Sequence, residues 1–146
     1  MGGVGEMDIY ARSLEFHRQL QGKIAITSRA EVNNEADLSL AYSPGVAEPC
    51  RKIAAHKELV YEYTGKGNMI AIVSDGSAVL GLGNIGPDAA LPVMEGKAVL
   101  FKRFAGVDAV PICLSSQDPD TIVGIVKHLA PSFAGINLED ISAPRC

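Results

Sequence analysis

A chain of 146 residues with 47% hydrophobic residues, 5% aromatic residues and a net charge of −4 has the makings of one soluble domain with a core of its own. It carries no basic patch large enough to neutralise a phosphate backbone, so a nucleic-acid partner is not expected. Cys50, Cys113 and Cys146 make neither a disulfide framework nor a C-x-x-C metal pattern, and no apolar run approaches the roughly 20 residues of a bilayer span.

The opening "MGGVGEMDIYARSLEFHRQ" lacks the apolar core of a secretory signal. A reducing, cytoplasmic compartment with no membrane attachment is therefore expected. From Asp8 to Leu20 the residues Ile9, Leu14, Phe16 and Leu20 predict a helix with a loosely apolar face, stopped by Gly22 and packed along one side of the domain. "KIAITSR" (23–29) predicts a short strand, and "EVNNEADLSLAYSP" reads as polar turn material. A helix is then expected from Pro44 to about Leu59, with Pro49 in its first turn or kinking it.

"NMIAIVSD" (68–75) is a continuous apolar run closed by Asp75-Gly76, the pattern of a strand buried on both faces of a parallel sheet. "LPVMEGKAVLFKRF" (91–104) predicts a helix and "VDAVPICL" (107–114) a second buried strand. "DPDTIVGIVKHLAPSF" (118–133) predicts a helix with Asp118 as N-cap, and "AGINLED" (134–140) a third strand with carboxylates at its C-terminal end. The alternation defines an α/β fold class: a three-layer domain whose small, mainly parallel sheet is flanked by helices.

"VLGLGNIG" (79–86) sets Gly81, Gly83 and Gly86 at the G-x-G-x-x-G spacing of a dinucleotide loop. That fingerprint needs a strand running into the first glycine, a long helix opening at the third, and an acid about 20 residues further on. Here Asp75-Gly76-Ser77 breaks the strand and Pro92 is expected to interrupt the helix. Glu95 comes too early for the ribose, and Asp108 too late. The glycines are accordingly expected to permit tight turns and close backbone approach beside a site.

Glu139-Asp140 ends an apolar run where a parallel sheet presents its ligand crevice, and adjacent carboxylates suit a hard cation such as Mg²⁺. A solvated pair capping the next turn is the alternative. Lys97 has mostly apolar neighbours, so desolvation could leave a neutral amine able to act as a base; a lysine that snorkels to solvent is the alternative. Tyr42 offers a phenolic proton or plain packing. His17, His56 and His128 share no metal-ligand spacing, Ser43 lacks a nucleophile elbow, and Lys66 lacks the P-loop order.

Three long segments in order, "LAYSPGVAEPC", "VSDGSAVLGLGNIGPDAALPVMEGKAVLFKRFAGVDAVPICL" and "INLEDISAPRC", resemble the N-terminal, substrate-side domain of bacterial malic enzymes. The resemblance runs from about Lys23 to Cys146 and leaves 1–22 as an N-terminal helical segment. It implies metal-dependent oxidative decarboxylation of malate to pyruvate and CO2 with NAD or NADP. Tyr42 would be the acid that protonates the enolpyruvate carbon, Lys97 the base for the malate hydroxyl, and Glu139 and Asp140 ligands of Mg²⁺ or Mn²⁺.

The same resemblance implies that "VLGLGNIG" forms a wall of the active site, with Ser74, Asp75 and Gly76 at its entrance. NAD(P) would be bound by a separate Rossmann domain absent from these residues, so a fragment of a longer enzyme is expected to be inactive alone. A homodimer is expected as the working form. Larger eukaryotic relatives carry an arginine after the Asp-Gly of this segment for a malate carboxylate; Ala78 stands there, so the anchor must differ. Three other readings remain at this stage. One is the kindred malolactic enzyme, the second a non-catalytic binding or dimerisation module using the first helix, and the third a Rossmann-type nucleotide module.

Overall fold

A computed structural model describes the backbone from Val4 and the side chains from Asp8, both through to Cys146. Its centre is β1 (Met69–Ser74), parallel to β2 (Asp108–Cys113) on one side and to β3 (Gly135–Leu138) on the other. Met69 lies opposite Asp108 and Ser74 opposite Cys113, while Ile70 to Val73 face Gly135 to Leu138. A central parallel strand is covered on both faces, and Ala71, Ile72 and Val73 are wholly buried.

Helix α5 (Pro87–Ala105) leads from β1 to β2, and α6 (Pro119–Leu129) leads from β2 back past β1 to β3. Right-handed crossovers running in opposite directions put the two helices on opposite faces of the sheet, which makes the three expected layers. α5 presents Ala90, Met94 and Ala98 at four-residue spacing, and Ile72, Met94, Ala98 and Ala109 form the core, with Phe101 and Cys113 against it. α6 buries Ile122. Its cap is the expected one, since Asp118 Oδ2 accepts from the Thr121 amide at 2.8 Å and from its hydroxyl at 2.6 Å.

Several expectations are corrected. α5 does not wait for Leu91 but opens at Pro87, where the missing N–H is harmless, and it runs through Pro92 to a left-handed Gly106. "KIAITSR" forms no strand; Ile26 stands 95% exposed. The stretch read as turn material contains α2 (Glu35–Ala41), started by Asn34, whose side chain accepts from the Asp37 amide at 2.9 Å. The helix expected from Pro44 to Leu59 is α3 (Ala47–Ala55), broken at His56 and followed by a single turn, α4 (Val60–Tyr63), between two short 3₁₀ segments.

The first helix, α1 (Val4–Leu20), is present, but from Ile9 onward its large apolar residues are not buried against the domain. Ile9, Tyr10, Leu14, Phe16 and Leu20 all stay about half exposed or more. Its C-terminal end is fastened instead. The Lys23 amine meets His17 Nε2 at 2.7 Å and donates to the Pro92 carbonyl at 2.6 Å, and the Lys23 amide donates to Glu95 Oε2 at 2.9 Å.

Candidate active site

Because the three strands are parallel, the loops that follow them emerge on one edge of the sheet: 75–86 after β1, 114–118 after β2 and 139–145 after β3. That edge is where open α/β sheets hold ligands. The Glu139 amide donates to the Val73 carbonyl at 2.9 Å, extending the ladder one residue beyond β3 and fixing where the Glu139 side chain departs. One of its oxygens, Oε2, accepts from Asn137 Nδ2 at 2.8 Å; the other, Oε1, lies 3.2 Å from Lys97 Nζ.

Lys97 neighbours the buried Ala98 on α5, and helical side chains lean toward the helix N-terminus, here toward the loop edge. Its side chain is 35% exposed. Its amine is held against the Glu139 carboxylate, with part of the side chain in solvent. Asp140 follows with a left-handed φ of 54°, and its carbonyl accepts the Ala78 amide at 3.0 Å. Burial first, and the Glu139 charge second, push the Asp140 carboxyl above the usual aspartate range, with Lys97 opposing them.

Two carboxylates against one ammonium leave this cluster a net negative charge, and both are hard oxygen donors. Among the described residues no third acidic, histidine or cysteine side chain joins them in a metal-binding group. The pair therefore fits Mg²⁺ or Mn²⁺ as part of a coordination shell that substrate and water oxygens would complete, with the cation competing with Lys97 for Glu139.

Tyr42 takes no part in the ion pair and hydrogen bonds of this cluster. It is the C-cap of α2, with its amide bonded to the Leu38 carbonyl at 2.8 Å, and the residue is 69% exposed. No hydrogen bond among the described residues joins its hydroxyl to Lys97 or Glu139.

The glycine loop makes a tight turn, closed by Gly83 N–H donating to the Val79 carbonyl at 2.8 Å. Gly81, Gly83 and Gly86 all have positive φ, as the turn reading requires. One objection to a dinucleotide loop falls, since α5 does open directly after Gly86. The other stands: β1 ends at Ser74, well before Gly81. Just before this loop, Gly76 is sterically forced, since a Cβ there would meet the Gly86 carbonyl oxygen at 2.1 Å.

Ser74 and Asp75, expected at an entrance, are instead fully buried. Ser74 Oγ accepts from the Gly76 amide at 3.0 Å and Asp75 Oδ1 from the Ser77 amide at 2.9 Å. Asp75 Oδ2 has no hydrogen bond, but Arg145 Nη1 lies 3.3 Å away as an ion-pair partner. Nothing in the sequence sets Arg145 apart from a solvated arginine. A cavity of about 710 Å³ lies elsewhere, between residues 23–29, α5 and β2, and none of Tyr42, Lys97, Glu139 and Asp140 lines it.

A lysine paired with one of two adjacent carboxylates, on the C-terminal edge of a parallel sheet, defines an α/β domain suited to an oxygen-rich ligand. Comparison with known proteins makes the assignment specific. The sequence model of the family described as malic enzyme, N-terminal domain, matches residues 21–118. The bifunctional malic/malolactic enzyme of Bacillus subtilis is 63% identical over 96% of this chain and 34% of its own length. The NADP-dependent malic enzyme of Halomonas elongata is 51% identical over 92% of this chain and 32% of its own. Among solved structures, the NAD-dependent malic enzyme of Thermotoga maritima superposes with a TM-score of 0.89 at 59% identity, over 91% of this chain and 38% of that one. The chain belongs to the malic enzyme family, as its N-terminal domain, and it spans about a third of the length of these relatives.

Proposed function

We propose that this chain is the substrate and metal side of an enzyme that oxidatively decarboxylates malate to pyruvate and CO2. The observation that carries the reading is the Lys97–Glu139 pair at 3.2 Å, beside Asp140 on the ligand edge of the sheet. A divalent ion held by Glu139 and Asp140 would supply Lewis-acid polarisation of a substrate oxygen, and NAD(P) bound outside these residues would accept the hydride. The names of the relatives support both nicotinamide cofactors for the family.

To act as the base, Lys97 first releases the proton of its ammonium to solvent and then takes the proton of the malate hydroxyl, which restores the ion pair with Glu139. Asn137 keeps Glu139 oriented while this happens, because it holds the oxygen that Lys97 does not. Tyr42 delivers a proton to the enolpyruvate carbon once α2 or a second copy of the chain brings its exposed ring to the cluster. A homodimer is the proposed working form: the uncovered Ile9, Leu14 and Phe16 of α1 and Leu40 of α2 offer an apolar surface for the second copy. The cytoplasm is the proposed compartment. All three cysteines are unpaired, and among the described residues no helix is long and apolar enough to cross a membrane.

The test is product analysis of the full-length enzyme with malate, Mg²⁺ or Mn²⁺, and NAD or NADP. Pyruvate formed in step with reduced nicotinamide is expected, and turnover without either sinks the reading. The name of the Bacillus subtilis relative favours a second reading, malolactic conversion, for which lactate would be the main product without net cofactor reduction.

A further inference from the structure

The loops after β1, β2 and β3 meet at one side chain. Arg145 Nη1 lies 3.3 Å from the fully buried Asp75 Oδ2, after β1, and the same nitrogen donates to the Gln117 carbonyl, after β2. Nη2 donates to the Ser142 hydroxyl, after β3. The connection reaches further through the partners. Gln117 and Asn84 exchange amide hydrogen bonds at 3.1 and 3.4 Å, which ties the glycine loop to the β2 loop. The Ser142 amide donates to Ser77 Oγ at 2.9 Å, and the Ala78 amide to the Asp140 carbonyl at 3.0 Å, which tie the β1 loop to the backbone bearing the carboxylates.

We propose that Arg145 is a positioning residue that clamps the three loops and so sets the backbone from which Glu139 and Asp140 project. This rests on the reading of Glu139 and Asp140 as a cation-binding pair. The guanidinium suits the task because its donors are fixed in a planar fork, able to serve several acceptors at once, whereas a lysine offers a single flexible point charge. Asp140 turns the chain with a left-handed φ, and the Ala78 amide on its carbonyl joins that turn to the β1 loop that Arg145 holds through Asp75. With Arg145 removed, Asp75 would become a buried carboxylate facing no cation, and all three loops would lose a common anchor.

The experiment is Mn²⁺ binding to the full-length enzyme, read by electron paramagnetic resonance of free Mn²⁺, together with NAD(P) affinity and thermal midpoint. The proteins are wild type, Arg145→Lys, Arg145→Gln and the double variant Arg145→Gln/Asp75→Asn. Loss of a group supporting metal ligands typically weakens metal binding by about 10- to 100-fold, and that loss is expected for Arg145→Gln, with unchanged NAD(P) affinity. Arg145→Lys keeps a charge for Asp75 and is expected to fold with weakened Mn²⁺ binding. The double variant removes the stranded carboxylate, so its thermal midpoint should recover while its Mn²⁺ affinity stays low, a separation that a merely structural arginine would not produce. Wild-type Mn²⁺ affinity in folded Arg145→Lys and in the double variant overturns the clamp. A wild type that binds no Mn²⁺ overturns the underlying cation reading and the clamp with it.

Discussion

Gly76→Ala isolates what the close approach of two loops requires. Gly76 has φ of +67°, and a Cβ there would lie 2.1 Å from the Gly86 carbonyl oxygen and 2.4 Å from its carbon, both rigid backbone atoms. A left-handed alanine costs about 1–2 kcal/mol, and the backbone shift that relieves an overpacked contact costs about 1–3 kcal/mol more, for a total of about 2–5 kcal/mol. That is a large share of the roughly 5–15 kcal/mol that holds a typical domain together. Gly81→Ala is the internal control: its φ is +76°, but nothing lies within 4 Å of the added Cβ, so only the conformational cost applies. Urea unfolding of both variants, followed by far-ultraviolet circular dichroism, gives the comparison directly. Gly76→Ala should be the less stable by about 1–3 kcal/mol, and equal destabilisation to within about 0.5 kcal/mol would refute the claim that the loops abut at Gly76.

Met94→Ala, at a wholly buried position of the core cluster, should cost about 2–5 kcal/mol in the same unfolding assay; a loss within surface-mutation size would contradict the placement of α5. Asp140 should titrate above the ordinary aspartate value of 3.8 in a carboxyl-carbon nuclear magnetic resonance titration, moving down in Glu139→Gln and up in Lys97→Met. The folded chain keeps that proton after the unfolded chain has released it, so this group's contribution to stability falls as pH rises from about 3.8 through the folded value. Asp108 behaves in the opposite sense. Hydrogen bonds from Lys102 and then Asn68 hold its carboxyl below 3.8, so its contribution is present above that value and is lost as pH falls through the lowered one. Asp108→Asn should remove this acid-side loss, which is small because the side chain is 38% exposed; an unchanged acid profile would discount the pairing. Light scattering of the chain with and without residues 1–22 should show the larger particle only when α1 is present, and an unchanged size would remove α1 from the proposed dimer contact.

The sheet was legible because its strands are buried runs with sharp ends: Asp75-Gly76 closes β1, and Asp118 starts α6 in both sequence and structure. Pro92 misled, since a proline in the second turn forfeits only one helical hydrogen bond while α5 retains its apolar stripe of Ala90, Met94 and Ala98. α2 has a sequence signal in Asn34 with Asp37 three residues on, a variant of the capping box: Asn34 accepts from the Asp37 amide at 2.9 Å, and the Asp37 carboxylate accepts at 3.0 Å from the amide of Asn33, one residue before the cap. "KIAITSR" shows the limit of alternation, which specifies the faces of a strand but supplies no neighbour for its edges. At the site, Glu139-Asp140 could be placed by its position after β3, and Lys97 by its apolar setting. Their pairing across about 40 residues could not be read from spacing, and neither could the burial of Asp75 or the reach of Arg145, because both depend on which loops the parallel sheet gathers at one edge.

The central claim is that Lys97 and Tyr42 serve as base and acid beside Glu139 and Asp140. Malate oxidation by the full-length enzyme with Mg²⁺ or Mn²⁺ tests it, comparing wild type with Lys97→Ala and Tyr42→Phe, each shown to be folded. Loss of turnover on the order of 10²- to 10⁴-fold in both variants is the predicted result. Near-normal rates in both would mean that the chain shares the family's fold while its chemistry lies at other residues.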